Sequence, residues 1–152
     1  MPARLSRKPK AGRTKARRTR TYASLKREAD KTFSAWIRQK DADGQGMAVC
    51  VTCGNVAPWQ AMQAGHFISR VHLSTRWDET NVAVQDAACN ILRRGNPGEF
   101  ALYLTRKYGP NIIAELVEKK RRSVKYSRGD LETLISEYQV KLAALRSGSP
   151  RL

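Results

Sequence analysis

Long apolar runs are absent from this chain. No segment approaches the roughly 18 consecutive apolar residues that a spanning helix needs, so the sequence predicts no membrane passage. No apolar stretch follows the basic N-terminus, which argues against a secretory signal. A mitochondrial transit peptide would also be Arg-rich and acid-poor, but this compact basic block is not amphipathic. Histidine is scarce, with only His66 and His72. Cysteine is scarce too, and its count of three cannot close a disulfide framework. Two of the three form Cys50-x-x-Cys53, which points to metal binding in a reducing compartment inside a cell.

Acid is the other shortage. Thirteen Asp and Glu face 29 Lys and Arg, for a net charge of +16 and a pI near 10.4. So large a surplus repels itself unless a polyanion neutralises it. Nucleic acid is the leading partner and a membrane surface the alternative. The 152 residues suit one domain, and 41% apolar content allows a modest core.

The charge is unevenly spread. Residues 1–20 carry nine Lys or Arg, no acid and almost no large apolar side chain. Such a stretch cannot bury a core, so residues 1–21 are predicted to be a disordered basic arm, with Arg17 and Arg18 among the residues that grip phosphate. From Leu25 the pattern turns helical. Leu25, Ala29, Phe33, Trp36 and Ile37 predict an amphipathic helix over 23–40, stopped by the Gly- and Asp-rich turn at 41–46.

Residues 46–96 differ again. Short strand-like runs occur at Met47–Val51, His66–Ser69 and Asn81–Gln85, and a helix is expected from Ala87 to Arg94. A β-β-α unit this small needs a staple. The remainder, 98–146, reads as a helical bundle. Phe100 to Tyr108 mark one helix, ended by Gly109-Pro110, and Ile112 to Val117 mark a second. Ser127-x-x-Asp130 caps a third, with a stripe of Leu131, Leu134, Ile135, Tyr138, Leu142 and Leu145. The stripe is read as core, with a dimer seam as the alternative. Residues 147–152 are a tail. The fold class is therefore α+β.

The staple has an irregular member. Cys50-Val-Thr-Cys53-Gly54 has the form of a zinc knuckle, and the expected second pair reads Asp86-Ala-Ala-Cys89. A carboxylate can bind zinc at about 2.0–2.2 Å, so Cys50, Cys53, Asp86 and Cys89 could still close a tetrahedral site. The hard oxygen should weaken it. His72 is a rival fourth ligand; a metal-free set of core cysteines, or an Asp86 that serves another metal, are further readings.

Between the halves of the knuckle lies AGHF, and the motifs CVTCG, AGHF, RWDETN, QDAACN and RRGN follow in order. Together with EYQVKLAALR at 137–146 they resemble the lambdoid-phage NinG (Rap) recombination family over roughly residues 22–146. The resemblance implies an HNH-type, His-metal finger nuclease that cuts Holliday junctions, D-loops and other branched recombination intermediates in the bacterial host cytoplasm. It also implies action beside a host recombinase or a phage annealing protein. His66 would be the general base, Asn81 the brace of its loop, and Asn90 a ligand of a catalytic Mg²⁺ or Mn²⁺ ion. Two departures stand out. Asp86 replaces a cysteine, and Gly65 stands where many such fingers carry an acidic or His ligand. Glu79, with Asp78 as understudy, is therefore the expected acidic ligand.

A neutral imidazole near pKa 6.5 can take a proton from water at neutral pH. Arg70, Arg76, Arg93 and Arg94 flank the site and are expected to grip phosphates, with Lys119, Lys120, Arg121 and Arg122 further off. Trp59 and Trp77 are read as core around the staple. Two-fold symmetric junctions imply a homodimer. A zinc module that binds or anneals DNA without cutting is the runner-up, and an RNA-binding accessory protein the third reading.

Deleting residues 1–20 removes nine cations and no anion, lowering the net charge from +16 to +7. The truncated chain should bind every DNA form more weakly, and its plot of log affinity against log salt should flatten by roughly 0.9 for each phosphate that the arm neutralises in the full chain. An unchanged slope would make the arm a bystander.

Overall fold

The computed structural model describes residues 20–147, and Arg17, Arg18, most of the basic arm and nearly all of the tail lie outside the described residues. The first helix, α1 (Tyr22–Gln39), begins where the Thr21 hydroxyl accepts the Ser24 backbone N–H at 3.2 Å. It buries Leu25, Ala29, Phe33 and Ile37, a four-residue repeat that keeps one face inward. Just beyond it, the Asp43 carboxylate accepts the backbone N–H groups of Gln45 and Met47, which folds the predicted turn.

Two antiparallel hairpins follow. Strands β1 (Met47–Val49) and β2 (Val56–Pro58) pair across the Cys50–Cys53 turn. Strand β2 was not expected, because Pro58 and short length disguise an edge strand. Strands β3 (Gln63–His66) and β4 (Val82–Gln85) pair with Gln63 opposite Gln85 and His66 opposite Val82. The sequence predicts a strand at His66–Ser69, but the observed strand ends at His66. Beyond it, the Asn81 side chain captures both backbone groups of Ile68. A short helix, α2 (Leu73–Arg76), lies between β3 and β4 and was also not expected.

After β4 the chain makes one wide π-type turn over Ala88–Leu92 where an ordinary helix to Arg94 was predicted. Such turns insert an extra residue and concentrate at functional sites. Helices α3 (Pro97–Tyr108), α4 (Ile112–Arg121) and α5 (Arg128–Arg146) complete the chain. Ser127 and Asp130 form the reciprocal capping box at the start of α5.

The C-terminal helices do not form one bundle. Helix α5 lies on α1 and buries Leu131, Ile135, Tyr138 and Leu142, so the stripe is core within the chain. Helices α3 and α4 instead bury Phe100, Leu104, Ile112 and Leu116 in a second core with Ala83. Strand β4 divides the two: Val82 and Val84 face the α1–α5 side, Ala83 the other. A strand covered on both faces needs an unbroken apolar run, which explains Val-Ala-Val here. Trp77 is buried in the first core and Trp59 packs against its edge. The result is a mixed α+β fold.

Gly65 has a specific structural reason. A Cβ at this position would stand 2.0 Å from Oε1 and 2.7 Å from Cδ of Gln85, a fully buried side chain. The Gln85 amide donates to Thr52 Oγ1 at 3.1 Å and to the Gly95 carbonyl at 2.7 Å, so it is tied down. Gly65→Ala should therefore cost about 1–3 kcal/mol in overpacking and strained hydrogen bonds, read as a lowered midpoint in denaturant unfolding. An unchanged midpoint would show that Gln85 moves aside freely.

Candidate functional site

Two clusters flank the β3–β4 hairpin. The first is the predicted staple. One ligand atom each from Cys50, Cys53, Asp86 and Cys89 lies within 4.8 Å of all the others, an arrangement that could hold a metal ion. Tetrahedral zinc with ligands at about 2.0–2.3 Å sets its donors about 3.5–3.8 Å apart, so little contraction is needed. His72 is outside this set and sits instead at the start of α2.

The surroundings prepare the ligands. Asp86 Oδ1 accepts the Cys89 backbone N–H at 2.6 Å, while Oδ2 accepts the Cys53 thiol at 3.1 Å. The carboxylate is thus aimed by one oxygen and free to ligate with the other. Because Gln85 donates to Thr52 Oγ1, the Thr52 hydroxyl hydrogen can point to Cys50 Sγ, 3.3 Å away. Burial pushes the Cys50 thiol up, but hydrogen bonds from Thr52 and from neighbouring backbone N–H groups bring it down to about 7. At Cys53 the Asn55 backbone N–H pulls the thiol down. Its bond to Asp86, burial and the two other sulfurs outweigh that pull and carry it to about 12. A metal must displace that proton.

The second cluster is an open cleft of about 530 Å³ lined by Asp30, His66, Arg70, Asn90 and Arg94 among others. It is assembled from α1, the end of β3, the following loop and the π-type turn. His66 Nε2 donates to the Arg76 carbonyl at 2.9 Å, which leaves Nδ1 as the basic nitrogen. Burial lowers the imidazole pKa, and the charges of Arg76 and Arg70 lower it further against the opposing pull of the carbonyl and Asp30. The ring is therefore neutral at pH 7. Asn90 donates to Gln63 Oε1 at 2.6 Å, so its own carbonyl oxygen remains available.

Asn81 is fully buried, and its amide bonds to Ile68 and to the Thr75 carbonyl, bracing the loop that leaves His66. Arg76 departs from expectation. It is 8% exposed, and its guanidinium forks onto Asp30 at 2.8 and 2.6 Å and donates to the Arg70 carbonyl, so it cannot grip phosphate. Glu79 also departs, since it does not line the cleft. Its carboxylate accepts from Tyr138 at 3.1 Å and pairs with Lys141 at 2.6 Å and Lys40 at 3.8 Å. Asp78 does not line the cleft either and pairs with Lys119 at 2.5 Å, while the Lys119 side chain stays 44% exposed. Arg121 pairs with Glu118 along α4, while Lys120 and Arg122 are exposed.

The acid at the cleft is Asp30, which the sequence does not announce. Its carboxylate also accepts the Trp77 indole N–H at 3.0 Å. Asp30 lies on the amphipathic helix 36 residues before His66, so no local motif marks it. The only hint is an acid beside the apolar face of a basic helix.

The family described as Bacteriophage Lambda NinG protein matches residues 3–148. The chain belongs to the NinG family. It is 27% identical over 121 residues to Protein ninG of Salmonella phage P22, covering 79% of this chain and 57% of that one. It is 26% identical over 122 residues to the ninG proteins of Escherichia phage 933W and Escherichia phage lambda, at 80% of this chain and 58% and 57% of theirs. The chain thus spans somewhat more than half the length of these relatives. No solved structure matches it. No helix among the described residues is long and apolar enough to cross a membrane.

For this NinG chain the staple predicts a measurable stoichiometry. Purified without chelator, it should carry about one zinc per chain, and Asp86→Cys should bind zinc more tightly and melt higher. Affinity should fall as pH falls, because the ligand protons must leave. Competition against a chromophoric chelator measures both effects, and absence of zinc from the wild-type chain would remove the staple.

Proposed function

We propose that this protein is a metal-dependent endonuclease that hydrolyses phosphodiester bonds in branched DNA. The observation that carries the reading is a neutral His66 with a free Nδ1, set in a cleft rimmed by Arg70 and Arg94. A general base must be unprotonated at working pH and within reach of a water beside the scissile phosphate. Nε2–H is committed to a fixed carbonyl, so the ring keeps one tautomer and one orientation. The chain of support runs outward: Asp30 holds the Arg76 guanidinium, and the Arg76 carbonyl holds His66.

Arg70 and Arg94 make no ion pair among the described residues, which leaves two forked cations for the phosphates on either side. Asp30 has one acceptor position unused by Arg76 and Trp77, and Asn90 has its carbonyl oxygen. These two residues would hold a Mg²⁺ or Mn²⁺ ion, which commonly takes one or two carboxylates plus substrate oxygens. Bound there, the ion would supply neutralisation of charge on the phosphate. The resemblance of the sequence motifs suggests branched recombination intermediates as substrate and a host recombinase or phage annealing protein as partner. The two-fold symmetry of a four-way junction suggests a homodimer for paired cuts.

One observation favours a second reading. Asp30, the one acid lining the cleft among the described residues, already carries three hydrogen bonds, the pattern of a structural anchor in a DNA-binding module that does not cut.

His66→Ala should abolish cleavage of a synthetic four-way junction in Mg²⁺ or Mn²⁺ and change junction binding by no more than a few-fold. Since the folded His66 pKa lies below its ordinary value, the base stays active as pH falls through 6.5. The acid limb of the rate profile should therefore appear only beneath that pH. Wild-type protein that binds junctions but leaves them whole in both metals would select the non-cutting module. A His66→Ala variant that still nicks would take His66 out of the base role.

A further inference from the structure

The π-type turn ends in a feature that neither cluster uses. Ile91 and Leu92 are 60% and 81% exposed, the latter among the barest large apolar side chains described. Two adjacent side chains this bare, beside the candidate cleft, offer an apolar surface that a partner can cover. They sit one and two residues beyond Asn90, and Arg93 and Arg94 follow directly. Arg93 is exposed, Arg94 lines the His66 cleft, and neither makes an ion pair among the described residues. Val71, 73% exposed, repeats the pattern by following the cleft residue Arg70.

The backbone that presents them is unusual. Arg94, Gly95 and Asn96 adopt φ of +50°, +86° and +46°, three consecutive left-handed residues of which two are not glycine. Such a conformation persists only where surroundings enforce it. Here the enforcement is visible. The Gly95 backbone N–H donates to the Cys89 carbonyl at 2.9 Å, the Arg93 N–H to Ala88 at 2.9 Å, and the buried Gln85 amide clamps the Gly95 carbonyl at 2.7 Å. The tip is therefore rigid, with its base at a ligand of the staple. A rigid apolar tip loses little conformational entropy on docking.

We infer that Ile91 and Leu92 form a wedge that enters an opened base step at the branch point of DNA. The unpaired guanidinium groups beside it select a polyanion as the occupant, and aliphatic side chains are the type that proteins push between bases. Fully stacked duplex offers no gap and charges the full unstacking cost. A junction already has weakened stacking at its crossover, so the wedge binds it in preference. With the tip so placed, the phosphate next to the opened step lies by Arg94 and His66, which couples branch recognition to the cut. This inference rests on DNA being the substrate proposed above.

The test uses the full chain with Ca²⁺ in place of a catalytic ion, and a four-way junction carrying 2-aminopurine at the crossover. Wild-type protein should raise the fluorescence as the base unstacks. The double substitution Ile91→Ser, Leu92→Ser should abolish that rise and lower the preference for junction over linear duplex by about tenfold or more. Its binding to linear duplex should stay within about twofold, since the cations remain. Leu92→Met alone should keep the signal, and unchanged zinc content and melting would show that the double variant is folded. A double variant that still unstacks the reporter, or keeps its junction preference, overturns the wedge. So does a silent wild-type protein that binds the junction. Cleavage is scored separately in Mg²⁺: fluorescence without cutting preserves the wedge and defeats the nuclease reading, and cutting without fluorescence does the reverse.

Discussion

The buried amide of Gln85 is the constraint on which the rest of the structure depends. It lies at the end of β4 and is fully excluded from water. Its two donated hydrogen bonds reach in different directions, to Thr52 behind Cys50 and to Gly95 at the end of the apolar tip. Its aliphatic part and oxygen fill the space that a Cβ at Gly65 would take, one residue before His66. One side chain thus joins the Cys50 turn, the strand bearing His66 and the loop bearing Arg93 and Arg94. An amide in this position costs free energy unless its donors are satisfied, and satisfying them fixes three chain segments at once.

Much of the fold was legible because the relevant signals are local. The four-residue repeat of Leu25, Ala29, Phe33 and Ile37 and the Ser127–Asp130 capping pair marked their helices to within a residue or two. The staple was legible because Cys-x-x-Cys spacing leaves few geometries, and the structure gathers the same four ligand candidates. What escaped was decided by distant partners. Pro58 is tolerated in β2 because that strand has only one neighbour among the described residues, which no local pattern reveals. The last third read as one bundle because periodicity reports an apolar face and is silent about which surface covers it. The π-type turn is set by the hydrogen bonds of Cys89 and Gly95, and a helical pattern in the sequence cannot distinguish it from an ordinary helix.

The site shows the same division between local and remote. His66 and Asn90 sit beside recognisable neighbours, and both line the cleft. Arg76 and Glu79, expected as a phosphate contact and as the acidic metal ligand, lie in ion pairs of the fold instead. In a chain with 13 acids against 29 bases, an acid's place is set by which cation it meets in three dimensions. Asp30 meets Arg76, Asp78 meets Lys119, and Glu79 meets Lys141. Of the three cations only Arg76 is drawn inward; Lys119 and Lys141 stay at the surface, where Asp78 and Glu79 are the more covered partners. The cations left over, Arg70, Arg93 and Arg94 among them, keep their charge for the surface.

Helices α1 and α5 run side by side in the same direction. Arg20 at the start of one bonds to Glu132 near the start of the other, Phe33 meets Tyr138 edge-on, and Lys40 and Lys141 share Glu79. The apolar face of α1 is therefore shared between strands β3 and β4 and a helix that comes much later in the chain. The four staple residues all lie between Cys50 and Cys89 and are complete much earlier. Short loops close before long ones, so the four staple residues can gather with the two hairpins before α5 reaches α1. During synthesis, the part of the α1 face that α5 covers stays open until Leu131 to Leu142 have been made, and an open apolar face is prone to aggregation.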